Sequence, residues 1–463
     1  GSMKTIVDSG RALDRGLAEI RRRFQVPEGF PAEVLAAAEE AAQRPLTAHV
    51  DRTAWPFVTL DPGPSTDLDQ AFTIERRGVD LLLHYAIADV AWFVDGGGAI
   101  DAEAWRRATT LYLPDGKAGL YPPILSEGAA SLLPRGPRPA LILSVVVAAD
   151  GAVRLEGVER AIVRSTAKLA YETVRPEELP DGFAEFAARI TAAEARRGAS
   201  RVDPPEQEVA EQGDGKLQLQ FRRRFPAEDQ NAALSLAANM AVADALLAHE
   251  TGLFRVMAEP DARAVARLRQ TARAFGLWWP HMAPLAQFER TLDAAIPAQA
   301  AFMLAIRRAG GSADYAPYTP GVIPWHAPMA ATYAHATAPL RRLADRYVLQ
   351  AVLAVANGQA VPEAVTAAFA ALPPVMAKAA SHGGQIDRAV IDLAETVMLR
   401  GREGTVFKAV VTDIDERGAH IQLCELPIVA RVNASHVTPG QEVSVEVRAA
   451  DPLHPPATFD RIA

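Results

Sequence analysis

Apolar positions recur along this chain with two different periods, and the period changes near residues 50, 180 and 400. Residues 11–24 set Leu13, Leu17, Ile20 and Phe24 on one helical face, and after VPEGFP a second helix runs through Val34 and Leu35 to about Arg44. Two short helices joined by a Gly/Pro turn suggest a helix-turn-helix. From about 51 to 180 the spacing becomes that of strands, in WPFVTL, AFTIERR, DLLLHYAIADVAWFV and ALILSVVVAADGAVRLEGVERAIV, the last folding back at Asp150-Gly151. Helices then dominate: Phe183 to Arg197, Asp229 to Glu250, Asp261 to Phe275, Leu285 to Ile296, Pro339 to Asn357, and a final stretch to about Arg400. One strand, KLQLQFRRRF, interrupts them. After Gly401 the alternation returns in TVFKAVVTDIDERGAHIQLCELPIVARV and QEVSVEVRAA, enough short strands for a small barrel of OB type.

Strands followed by helices predict an α+β core of mixed β-sheet and helices. The expected division is a helical module over 1–50, a catalytic-sized domain over 51–400 and an OB-fold β-barrel over 401–463. No apolar run in the sequence approaches the ~20 residues of a membrane helix, so no membrane partner is expected. The single cysteine, Cys424, excludes an internal disulfide and a thiolate zinc cluster, which points to a cytoplasmic protein. A net charge of −8 argues against indiscriminate coating of nucleic acid. Arginines nevertheless cluster at 222–224, at 307–308 and at Arg341, Arg342 and Arg346; the run Arg21 to Arg23 reads as a solvated face.

The chemistry concentrates in LDPGPSTDLDQAF, where Asp61, Asp67 and Asp69 fall within nine positions. A calcium EF-hand loop starting at Asp67 needs glycine sixth and glutamate twelfth, and Phe72 and Gly78 stand there. A phosphatase of the Asp-x-Asp type places that motif directly after a buried strand, whereas PGPST intervenes here. Two readings stay open on spacing alone: turn capping by Asp and Ser/Thr, and a metal site. Hard oxygen ligands without histidine or cysteine suit magnesium or manganese. In TAPLRRLADR, Pro339 suits the first position of a helix, which sets Arg341, Arg342 and Arg346 near a helix N-terminus. That arrangement makes sense if an anion binds there.

DPGPSTDLDQAFTIE, HYAIADVAWFV, AIDAEAWRRATTLYLPDG, YPPILSEGAASLLP, RPALILSVVVAADG, AKLAYETV and YAHATAPLRRLADRYV resemble, in the same order, the motifs of the ribonuclease II (RNB) family, over about residues 55 to 400. The terminal barrel is similar to the ribosomal-S-one-type OB fold of such enzymes. The resemblance implies processive 3′-to-5′ hydrolysis of single-stranded RNA to nucleoside 5′-monophosphates with Mg²⁺ (or Mn²⁺); a monomer is expected. It implies metal ligands at Asp61, Asp67 and Asp69, with Gln70 standing where the family has a fourth aspartate. Asp69, Arg341 and Arg342 take the catalytic roles, and Tyr112, Tyr171, Arg346, Phe407 and His420 the RNA contacts. Ala232 and Ala233 replace two family glutamates, one of which helps read ribose. Many relatives carry two N-terminal cold-shock-type barrels, for which about 50 mostly helical residues leave no room. The expectation is an open entrance able to admit structured RNA with a 3′ overhang. A catalytically weakened RNA-binding protein on the same scaffold is the alternative.

Overall fold

The computed structural model describes residues 11–462 apart from 201–202, 204–205 and 212–216. Its first half builds a sheet from β1 (Val50–Asp51), β2 (Phe57–Asp61), β3 (Gln70–Arg77), β4 (Asp80–Ala88), β7 (Arg138–Val147), β8 (Val153–Val163) and β9 (Ser165–Ala170). Between β4 and β7 lies a separate hairpin, β5 (Leu111–Leu113) and β6 (Gly116–Ala118). The sheet order is β1-β8-β7-β4-β3-β2-β9. Its middle is antiparallel, and the pairs β1/β8 and β2/β9 are parallel, so the sheet is mixed as expected.

β4 and β7 are buried along nearly their whole length, which is why they read as continuous apolar runs. A central helix, Pro226–Ala248, packs over them with most of its side chains buried; its polar residues Glu228, Asn231, Ser235 and Asn239 share one stripe. At the β7/β8 turn, Gly151 holds φ +85°, and a Cβ there would come within 2.4 Å of the Arg189 carbonyl, so the helix Phe183–Arg197 can sit directly on the turn. The central helix and the helix Glu363–Leu399 are long and apolar enough to cross a bilayer by length and composition, against the sequence reading. The first has 67% of its apolar window buried inside the fold.

The expected N-terminal module has no core of its own. Helix α1 (Ala12–Arg23) buries Leu13, Leu17 and Ile20 against the end of Glu363–Leu399 and the C-terminal sheet, whereas α2 (Ala32–Ala42) buries Val34, Ala38 and Ala41 in the catalytic core. The two helices serve different cores, so they do not act as a helix-turn-helix unit. The α1 packing is close: a Cβ on Gly16 would lie 2.4 Å from Leu393.

Two helical expectations shift. Pro297 opens its own helix, Pro297–Ala309, so Leu285 to Ile296 shrinks to Leu285–Glu289. The helix expected at Pro339 begins at Leu343, because the turn that returns Arg341 N–H and Arg342 N–H to the Ala338 carbonyl is broken by an extended backbone at Arg342 (φ −132°, ψ 123°). The C-terminal strands Val406–Asp415, Gly418–Leu423, Val429–Val432, Glu442–Ala449 and Thr458–Arg461 form one curled antiparallel sheet. No ladder joins its two edge strands among the described residues, so the OB-type barrel is half closed.

Candidate active site

β2 runs to Asp61 and β3 resumes at Gln70, so the loop 62–69 crosses one end of the sheet. It is pinned from several sides. Ser131 Oγ accepts from Leu68 N–H at 2.8 Å and donates to the Thr66 carbonyl at 2.7 Å, and Lys168 Nζ donates to the Gly63 carbonyl at 2.6 Å. Turn-forming residues thus become a rigid holder for three carboxylates, each in a different environment.

Asp69 is 2% exposed; it accepts Leu340 N–H at 2.7 Å and Arg341 Nε at 3.0 Å. Burial still pushes its pKa up, to about 6, against the lowering effect of Arg341. Asp61 is pushed up further, to about 7, by burial and then by the charge of Asp69, and its Oδ2 is buried without a hydrogen-bond partner. Asp67 accepts the Tyr112 hydroxyl at 3.1 Å and lies 3.4 Å from Lys117 Nζ.

The opposite wall is the turn 337–342. Thr110 N–H donates to the Arg341 carbonyl and Leu343 N–H to the Ala108 carbonyl, which ties the turn to the segment entering β5. Gln70 Nε2 donates to the Thr337 carbonyl. The Arg341 side chain is 44% exposed and reaches Asp69, whereas Arg342 is held in a two-bond pair with the fully buried Asp345, at 3.1 and 2.8 Å. A cavity of about 310 Å³ opens here, lined by Gln70, Tyr171, Asn231, Thr337, Arg341 and Arg342 among others. Tyr171 N–H bonds the Asp61 carbonyl, and its hydroxyl accepts from Asn231 at 3.0 Å, leaving the phenol proton free to donate. Burial, then the charge of Asp61, pushes that phenol up to about 12. Tyr112, bonded to Asp67, stands 50% exposed.

Three expected RNA contacts have other surroundings. Arg346 is 4% exposed, paired with Asp101 and bonded to the Tyr121 and Tyr347 hydroxyls, so it braces the interior and cannot reach a ligand. Phe407 is 5% exposed, in the core shared by α1 and the C-terminal sheet. His420 is half-buried in a network with Asp415 at 3.0 Å and Arg431 at 3.3 Å. Sequence reasoning missed Lys117, Asn231 and the Leu340 N–H. No local pattern announces them, because each acquires its role through contacts distant in sequence.

The donor set fits a divalent cation at Asp61 and Asp69: both are hard oxygen donors, Asp61 Oδ2 lacks a partner, and burial pushes both carboxylates up. Among the described residues, no three His, Cys, Asp or Glu side chains close around one point, since Asp67 is engaged by Tyr112 and Lys117.

A mixed sheet that presents an acidic loop to an arginine turn, followed by an S1-type sheet, defines a catalytic scaffold of RNB type. Residues 49–358 match the RNB domain and 405–461 the RNase II-type exonuclease C-terminal S1 domain; the chain belongs to the RNB family. It is 26% identical over 459 residues to ribonuclease R of Thermotoga maritima, an alignment covering 92% of this chain and 64% of that protein. The chain thus spans less than two thirds of that curated relative. Mycoplasma genitalium RNase R in complex with ribose-methylated single-stranded RNA superposes with a TM-score of 0.85 at 18% identity, over 99% of this chain and 79% of that one. Yeast Ssd1, described as a pseudonuclease, superposes at 0.66 with 17% identity, over 94% and 57%. At those identities the likeness is one of fold.

Proposed function

We propose that this chain is a metal-dependent 3′-to-5′ exoribonuclease that shortens single-stranded RNA to nucleoside 5′-monophosphates. The observation that carries this reading is the pair Asp61 and Asp69, two carboxylates pushed up by burial, with Asp69 bonded to Arg341, which in turn lines the cavity together with Gln70 and Tyr171. A magnesium ion held by Asp61 and Asp69 would supply charge neutralisation at the phosphate and an acidified water. The protein's own groups do the rest. Arg341, charged and exposed, meets a phosphoryl oxygen and carries its developing charge. Leu340 N–H and the Arg341 guanidinium keep Asp69 oriented. Tyr112 offers an aromatic face to a base, a contact that tolerates every sequence. Arg342, tied to Asp345, keeps the turn in shape, and the resemblance supplies the polarity of digestion.

Gln70 and the alanines at 232 and 233 favour the alternative, an RNA-binding protein with weakened chemistry. One assay separates the two: 5′-labelled single-stranded RNA, alone or as a duplex with a 3′ overhang, incubated with magnesium or with a chelator. A ladder shortening from the 3′ end only with magnesium supports the enzyme. RNA that is bound yet intact overturns it in favour of the alternative.

A further inference from the structure

The β5/β6 hairpin has two unlike faces. Tyr112 and Lys117 are direct cross-strand partners, and both reach Asp67: the tyrosine by its hydroxyl at 3.1 Å and the lysine at 3.4 Å. Lys117 also lies 2.9 Å from Glu127, which accepts the Thr66 hydroxyl at 2.6 Å, so one ammonium joins hairpin and acidic loop. On the other face, Leu113 and Ala118 enter the core that holds Leu13, Leu17 and Ile20 of α1. The tip is gripped by α1 as well. Arg21 Nη2 donates to Asp115 Oδ1 at 2.7 Å and to the Gly116 carbonyl at 2.8 Å, and Arg21 Nε approaches Asp115 Oδ2 at 3.1 Å. Arg22 and Arg23 make no such reach; one pairs with Glu19 and the other lies over Phe24.

We propose that α1 sets the hairpin over the acidic loop, with Arg21 as the positioning residue that holds Tyr112 beside Asp67 of that loop. This rests on the exoribonuclease reading, since Tyr112 matters only if a base stacks there. A hairpin this short lacks the ladder to hold itself in place, and its tip has one charged anchor. Releasing that anchor leaves Asp61, Asp69 and Arg341 untouched. The cost should therefore fall on RNA binding and spare the turnover rate.

The test is a titration of 5′-fluorescein-labelled single-stranded RNA in chelator, alongside steady-state kinetics in magnesium. Arg21→Ala should weaken binding about threefold to tenfold, a part of what a lost base stack costs, and raise KM with kcat within about twofold. Tyr112→Ala should weaken binding at least as much, and adding Arg21→Ala to it should change nothing further. Asp115→Ala removes the carboxylate half of the same anchor without touching α1 and should reproduce most of the effect, which keeps the test valid if Arg21→Ala folds poorly. Wild-type-like binding by both Arg21→Ala and Asp115→Ala, or an equal loss from Arg21→Ala with and without Tyr112, overturns the assignment. Absence of RNA binding by the unaltered protein overturns the exoribonuclease reading itself.

Discussion

Replacing Asp61 with asparagine should make the metal-free protein more stable at alkaline pH than at acid pH, relative to the parent. An aspartate held at about 7 in the fold, against 3.8 when free, binds more protons folded than unfolded between those values. Stability is therefore full below about pH 4, falls as pH rises through that window, and the whole penalty is present above about pH 7. At about 1.4 kcal/mol per pH unit, the penalty is ~1.5 kcal/mol at pH 5 and ~4 kcal/mol at pH 8. Asparagine abolishes it but buries an amide where Oδ2 had no partner, at a cost of about 1–3 kcal/mol. That cost does not depend on pH, so it cancels when the two conditions are compared. The gain from Asp61→Asn should thus be ~2–3 kcal/mol larger at pH 8 than at pH 5. Urea unfolding of both proteins in chelator at the two pH values measures it. A gain equal at both values, or larger at pH 5, refutes the claim that Asp61 is a destabilised carboxylate. Magnesium at pH 8 should then stabilise the parent and not the variant.

Arg346→Ala should cost about 3–5 kcal/mol of stability, because Asp101 is left as an unpaired interior charge, while the folded fraction binds RNA as before; a specific loss of RNA affinity would reinstate Arg346 as a contact. Arg341→Met removes the countercharge from Asp69, which already sits at about 6, so the acid limb of the pH–rate profile should move to higher pH and the rate should fall more than affinity; an unmoved limb would separate the two groups. Gln70→Asp removes the donor to the Thr337 carbonyl and adds a third carboxylate beside Asp61 and Asp69, so the metal-free protein should lose about 1–3 kcal/mol, read by thermal unfolding, with magnesium restoring part of it.

What the sequence made legible follows from the range of the forces involved. β4 and β7 are apolar because both faces are covered, and that demand is written residue by residue. The acidic loop was visible because Asp61, Asp67 and Asp69 lie close in the chain. Arg341, Arg342 and Arg346 look alike in sequence, yet the first faces Asp69, the second braces Asp345 and the third is interior. Their difference comes from partners up to 272 residues away in the chain, which no local pattern carries. Phe407 is a different kind of miss. It shares the inward parity of Ala409 and Val411, so the alternation already placed it inside. The helices α1 and α2 were legible as helices, but their assignment to two cores depends on close approaches such as Gly16 to Leu393.

The glutamine at position 70 becomes intelligible when the charges around the loop are taken one by one. Asp67 is compensated by Lys117 and a tyrosine proton, and Asp69 by Arg341 and a backbone N–H. Of these three, Asp61 alone keeps a buried oxygen with no hydrogen-bond partner, and its pKa is pushed above that of Asp69. A further aspartate at 70 would add repulsion to the burial that already drives Asp61 and Asp69 towards neutrality. An amide there instead donates to the Thr337 carbonyl and links the acidic loop to the arginine turn. The same exchange that lowers the negative charge available to a cation thus joins the two walls of the cavity. A cation drawn to this site is drawn first to Asp61, the carboxylate of the three that keeps an oxygen without a hydrogen-bond partner.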